Sequence, residues 1–236
     1  MSHSYPVWPA HQLTWEAQPE LVKAMRVAIE RRQPQEWPGH GFAVRAFCAA
    51  RTKYPQLFWQ NLYTLRRYDY IQTNLVTRHN PGWASNTDVL CGLTGMISEG
   101  LVYSKPGVIE LLPAWLPALP NGSVQGIRCR TQATVDNLEW DLNKRVVSAT
   151  IASVRDQWVT LYMRQGIKSL EANTKVKRSE YGDIARRLLL QKESPVRVTV
   201  HLEKAMNDYP VNAPAFTLDE ADRVQAEREA KRKMQK

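Results

Sequence analysis

A carboxylate held at the mouth of a helix can hold or move a proton, and Asp88 is the side chain whose position best suits that work. It closes the run Asn86-Thr87-Asp88, just ahead of apolar residues at helical spacing: Val89, Leu93, Met96 or Ile97, and Leu101. Short polar side chains in that place accept hydrogen bonds from the free amides of a first helical turn. Asp88 therefore has two readings. One is a helix cap favoured by the helix dipole. The other is a catalytic carboxylate held rigidly at the end of a packed element, in a pocket where several such ends meet. Cys91, Gly92, Gly95 and Ser98 form a second, small-residue face, and the whole pattern predicts a helix buried on nearly all sides.

The other chemistry-bearing residues are scattered. The five histidines, His3, His11, His40, His79 and His201, form no H-E-x-x-H or Cys/His cluster, so no metal is expected, and no cofactor either. Cys48, Cys91 and Cys129 lie far apart, two of them in apolar helical patterns. They read as buried free thiols, neither a disulfide framework nor a zinc site.

The formal charge of +9 permits a polyanionic partner. The excess is spread over Arg31-Arg32, Arg66-Arg67, Lys175 to Arg178, Arg186-Arg187 and the final residues, and meets no nucleic-acid motif. Dispersed solvated charge is the reading, with no nucleic-acid partner expected. A chain of 236 residues with 43% hydrophobic and 23% charged residues has the composition of a globular protein and room for two domains. No apolar run reaches the roughly 18 residues that span a bilayer, and the polar start MSHSYPVWPAHQ has no signal-peptide pattern. The expectation is a soluble chain without a membrane partner or an address of its own.

The elements that must position Asp88 follow from periodicity. Ser2 to Pro9 reads as an ordered loop. Pro19 opens a helix over Glu20 to Arg32 with the stripe Leu21, Val22, Met25, Ala28 and Ile29, and Pro34, Pro38, Gly39 and Gly41 break it. Further helices are expected from about Phe42 to Thr52 and from about Pro55 to Tyr68. Beyond Tyr103 the period becomes two. Strands are expected at Val108 to Leu112, Val124 to Arg130 after a turn at Asn121-Gly122, Ala133 to Asp141, Arg145 to Val154, and Trp158 to Gln165. In Ala133 to Asp141 the phase slips near Asn137, as a β-bulge produces. Leu170 to Ser179 reads as a long polar loop, and Ile184 to Leu190 with Val196 to Leu202 as a closing hairpin. Six or seven strands of this kind make a small antiparallel β-sandwich, with Trp140 and Trp158 in its core. A capping box at Thr217 and Glu220 opens a charged tail, partly helical or disordered.

Taken in order, these segments resemble a known family. The loop Ser2-His3 to Pro9, the helix start Pro19-Glu20-Leu21, Ala49-Ala50-Arg51, and Asn74-Leu75 to His79 with Pro81 carry the first half of the likeness. Asp88, Gly92, Thr94, Ile97 and Glu99 carry the middle; Leu111-Leu112-Pro113, Ala118-Leu119-Pro120, Gly122 to Arg130 and Val135 to Trp140 carry the rest. Together they resemble glycoside hydrolases of family 95, the α-L-fucosidase-type family with α-L-galactosidase relatives. The likeness covers Ser2 to Leu202.

The resemblance implies an α+β chain: C-terminal helices of an (α/α)6 barrel (residues 1–104), then a small antiparallel β-sandwich (105–205), then the tail (206–236). Met1 falls inside a family motif, so the chain is expected to be a fragment or a truncated gene product. The implied chemistry is inverting hydrolysis of terminal α-L-fucosyl or related sugars in an oligosaccharide or glycoconjugate. A carboxylic acid protonates the leaving oxygen while a second group activates water on the opposite face. Family members activate that water with an asparagine polarised by an aspartate, and Asp88 matches the aspartate. Its segment departs from the family: Leu90 stands where the family has asparagine, and Asn80 to Thr87 replaces its P-P-F-Q-I run. The general acid and the water-activating asparagines belong to family sequence upstream of this chain, so the chain is expected to be inactive alone. The alternative is a non-catalytic carbohydrate-binding or interaction remnant. His3 and His79 match pocket histidines and, with His40 and Asn74, are the candidate substrate-binding residues. Asn74 has a second reading, as the residue that fixes its loop. Trp8, Trp37 and Trp83 either stack on a sugar face or pack in the core. Family members are often secreted, and nothing in the sequence assigns a compartment.

Overall fold

The computed structural model describes residues 2–31, 38–81, 84–115 and 119–204, and positions 226, 230, 233 and 234. Trp37, Trp83 and nearly all of the tail with its capping box lie outside the described residues. The described chain is α+β and divides into two compact units, one within Met1–Ile97 and one within Ser98–Tyr209.

The first unit contains α1 (Pro19–Arg31), α2 (Gly39–Arg51), α3 (Pro55–Arg67) and most of α4 (Thr87–Leu101). In α1 the buried residues Val22, Arg26 and Ile29 recur at i, i+4 and i+7, one helical face. Leu21, placed on the expected stripe, is instead 54% exposed. Arg26 stacks over the rings of Trp15 and Tyr54 and donates to the carbonyls of Thr52 and Lys53, so its charge meets the free carbonyl end of α2. Lys53 takes a left-handed φ of 58° and reverses the chain into α3, which starts on Pro55 and packs along α2. Gly39 and Gly41, expected to break a helix, form the first turn of α2, because bulk rather than flexibility is at issue there. A Cβ on Gly39 would lie 2.7 Å from Val89 Cγ2 and 2.8 Å from the Arg78 carbonyl oxygen.

At the other end of α2, Arg51 donates to the carbonyls of Val7 and Pro9 at 3.0 and 3.2 Å and anchors the N-terminal loop. Trp8 on that loop stacks on Phe47, with ring centroids 4.6 Å apart and planes 11° off parallel. The far side of Phe47 covers Gly92 and Gly95, which explains the small-residue face of α4. The rest of α4 corrects the sequence reading: Leu90 is 50% and Ile97 37% exposed. Cys91, expected to be buried, is exposed as well, while Cys48 and Cys129 are buried, and all three thiols are free. Burial pushes the Cys48 thiol up to about 11 and that of Cys129 upward too. A thiol-reactive probe at pH 8 is therefore expected to label one cysteine per native chain quickly, and three only after unfolding. Cys91→Ser should remove the fast phase.

Among the described residues, the second unit is a sandwich of ten short strands, more than the six or seven expected. One sheet has the order β1 (Val102–Lys105), β2 (Val108–Leu111), β6 (Gln157–Tyr162), β9 (Ala185–Leu190), β8 (Val176–Arg178). The other has β3 (Asn121–Cys129), β4 (Ala133–Asp141), β5 (Val146–Ser153), β10 (Val196–Leu202), β7 (Ile167–Ala172). All neighbours are antiparallel except β2 and β6. The core is built from alternating residues of both sheets, among them Val135, Leu138, Ile151, Val200, Ile109, Leu161 and Leu188. The register between β4 and β5 shifts between Val135 and Asn137, where the sequence phase slips.

Four sequence readings change here. The supposed loop from Leu170 to Ser179 contains the second half of β7 and all of β8. β9 and β10 belong to different sheets and form no hairpin. Asn121-Gly122 opens β3 rather than making a turn, and Gly122 is small because a Cβ there would stand 2.5 Å from the Trp140 ring. Trp158 alternates with the core residues Val159 and Leu161, so it lies on the outer face of its sheet, half-buried; Trp140 does belong to the core.

Among the described residues, two ion pairs with a buried carboxylate brace this unit. Glu99, at the end of α4, is buried and meets Arg130 at 2.6 Å, and the Arg130 amide donates to Ser104 Oγ at 2.8 Å. Glu110 on β2 takes the Arg164 guanidinium in a two-bond fork, one arm from Nε to Oε1 and one of 3.1 Å from Nη2 to Oε2, with both side chains buried.

Candidate functional site

The loop between α3 and α4 sets the site. It folds back on itself through single bridges, Ile71 with Thr77 and Arg78 with Ser85, so that its two limbs run side by side. Thr77 clamps the end of the second limb: the Asn86 amide donates to the Thr77 carbonyl at 2.9 Å, and the Thr77 hydroxyl donates to the Asn86 carbonyl. The Gly39 amide donates to the His79 carbonyl at 2.6 Å, tying the same loop to the first turn of α2.

Asn86 then caps α4: its Oδ1 accepts from the Val89 amide at 3.0 Å. The cap reading of Asp88 is thus corrected. Asp88 lies within the first turn, where the helix dipole still favours its charge. The Asn86 side-chain nitrogen meets Asp88 Oδ2 at 3.5 Å and His79 Nδ1 at 3.4 Å. One amide therefore bridges the imidazole and the carboxylate. Asn86 is 7% exposed, while His79 and Asp88 are exposed. A buried hinge carries two functional groups that face solvent.

The sequence marks Asn86 as one of three capping residues and gives it no place in a site. Its place three residues before Val89, the first fully buried side chain of the helix, was the available signal. His40 is exposed in the first turn of α2, next to the Gly39 that binds the His79 carbonyl, so His40, His79, Asn86 and Asp88 share one patch of backbone. Gly39→Ala is expected to strain that patch by about 1–3 kcal/mol, because both opposing atoms belong to packed elements. A thermal melt measures this, and a change in the His79 imidazole resonances reports the displaced loop.

The other two candidates lie on other stretches of the chain. His3 is in the short 3-10 turn Ser2–Ser4, exposed, on the loop held by Arg51. Asn74 lies at the exposed tip of the α3–α4 loop, where its Oδ1 accepts from the Val76 amide at 3.1 Å. It lines an open cavity of about 480 Å³ with Arg66, Arg67 and Asp69. That hydrogen bond is the loop-fixing role given as its second reading. Among the described residues no group of three or more His, Cys, Asp and Glu is arranged to hold a metal, and no helix is long and apolar enough to cross a membrane.

Chemically, the cluster offers one carboxylate, an imidazole and an amide on a fixed hinge. Such a set can hold sugar hydroxyls or orient a water. Inverting hydrolysis needs a second carboxyl group on the far face of the sugar.

Parts of the chain are similar to known proteins. Residues 103–197 match the C-terminal domain of glycoside hydrolase family 95. A stretch of 152 residues, 59% of the chain, is 32% identical to alpha-L-fucosidase 2 of Arabidopsis thaliana. The match spans 17% of that relative's length, so the chain corresponds to a small part of it. A solved GH127 beta-L-arabinofuranosidase, Ara127N-Se from Geobacillus stearothermophilus T6, aligns over 79% of this chain and 34% of its own, with 11% identity and a TM-score of 0.33.

Proposed function

We propose, from the premise that the chain carries a C-terminal portion of glycoside hydrolase family 95, that it is one part of an inverting hydrolase releasing terminal α-L-fucosyl or related sugars. The observation that carries this reading is the Asn86 amide set between His79 and Asp88. In this reading Asp88 polarises the water-activating side of the reaction, and His79 and His40 hold sugar hydroxyls. His3 and Asn74 complete the sugar-facing set from neighbouring loops. The general acid comes from polypeptide upstream of these helices.

The exposed apolar residues support the same view. Leu21 on α1 and Ile97 on α4 face water although they sit in the expected apolar stripes, and Val27 and Leu90 are exposed on the same helices. In an (α/α)6 barrel such faces are covered by neighbouring helices. A second reading, a carbohydrate-binding remnant without turnover, is favoured by the single carboxylate in the cluster.

Assay on a chromogenic α-L-fucoside separates the two. The chain alone is expected to show no turnover. Joined to the upstream part of a family 95 hydrolase, it should restore hydrolysis with inversion at the anomeric carbon. A joined protein that folds, binds fucoside and still fails to hydrolyse it leaves the remnant reading standing.

A further inference from the structure

The outer face of the sheet β1-β2-β6-β9-β8 carries an unusual arrangement of charge. Lys177 on β8 and Arg187 on β9 are directly paired across the strands, so their side chains share one face. Both gather over the indole of Trp158, with Lys177 Nζ 4.4 Å and Arg187 Cζ 5.5 Å from the ring centroid. Both are exposed, and among the described residues neither forms an ion pair with a carboxylate.

Like charges placed directly opposite one another weaken a strand pair. A lysine on the edge strand β8 guards against strand addition, which accounts for Lys177. It does not account for Arg187, on the interior strand β9. The neighbouring pair Arg178 and Arg186 shows how the chain treats such a conflict elsewhere. Arg186 donates to the Gly182 and Ala185 carbonyls and meets Asp183 at 3.4 Å. Among the described residues, Lys177 and Arg187 share the indole and no carboxylate.

We propose that Lys177 and Arg187, held side by side by Trp158, form a binding site for the carboxylate of a uronate unit in an acidic polysaccharide. The planar guanidinium matches a carboxylate in a two-bond fork, and the lysine adds a point charge beside it. Thr160, paired with Arg187 from the other side, places a half-exposed hydroxyl on the same face for a sugar hydroxyl. Single-stranded nucleic acid binds by stacking bases on open aromatic faces. The one indole here is occupied by cations, which favours a saccharide. The proposal rests on the reading that the chain acts on glycans and narrows it to glycans bearing acid groups.

The test is retention of the full chain on immobilised polygalacturonate, with neutral dextran and single-stranded DNA as parallel matrices. Retention on polygalacturonate and none on dextran is expected. Lys177→Gln with Arg187→Gln should weaken binding about tenfold or more, since each charged hydrogen bond carries roughly that factor. Removing equal charge from the other sheet, Arg128→Gln with Arg197→Gln, should leave it unchanged. Matching melting curves check the fold; if the first pair destabilises the chain, Thr160→Val and Lys177→Gln singly take its place. No retention, equal losses from both pairs, or equal retention on DNA would overturn the site. Fucoside hydrolysis by the joined protein reads the parent function independently, because neither pair lies in the His79–Asn86–Asp88 cluster.

Discussion

Asp88→Asn, made in the chain joined to upstream family 95 sequence, is expected to lower kcat/KM on an α-L-fucoside by about 10²–10⁴-fold, the range lost with an acid–base group. The substitution keeps the shape of the side chain and removes its charge. As a residue of the first helical turn, Asp88 contributes only about 0.3–1 kcal/mol through the dipole, so the melting temperature should fall by a few degrees at most. That separation decides between its two roles. A residue needed only for the helix would lose stability and activity together, and its asparagine variant would keep most of both. Asn86→Ala is the comparison. It removes a cap, for about 1 kcal/mol, together with the bridge to His79 and Asp88. If Asp88→Asn retains full activity while Asn86→Ala abolishes it, the carboxylate has no part in the reaction and the amide must be reassigned as its centre.

The parts of this molecule that were legible in its sequence are those where one face is buried and the other wet. β5 and β10 alternate strictly, and in β4 even the bulge near Asn137 shows as a slipped phase. β8 was missed because an edge strand with every side chain exposed has no period to read. β9 and β10 were mistaken for a hairpin because a short polar turn does not reveal that its two strands enter different sheets. The burial of α4 was overestimated for a related reason. Its glycine face packs on Phe47 as the composition suggested, but whether Leu90 and Ile97 are covered depends on neighbours that a periodic pattern only implies. In the candidate site, the helix start was readable and the division of labour was not. Asn86, Thr87 and Asp88 are equivalent as polar residues ahead of an apolar run; only the backbone turn settles which one reaches the Val89 amide.

Breaking the Glu110–Arg164 fork should have the largest effect on stability. Arg164→Met is expected to cost about 3–5 kcal/mol, because it strands a carboxylate whose side chain is 1% exposed. For a unit of about a hundred residues that corresponds to a fall in melting temperature of roughly 15 °C or more. The cost comes from a buried charge losing its counter-charge, not from the intrinsic strength of the pair, and this predicts how it can be relieved. Adding Glu110→Leu to Arg164→Met removes the second charge, and most of the lost stability should return. A single variant that melts like the wild type would mean that the fork adds nothing to stability, and a double variant less stable than the single one that its geometry rather than charge neutralisation holds β2 against the turn after β6.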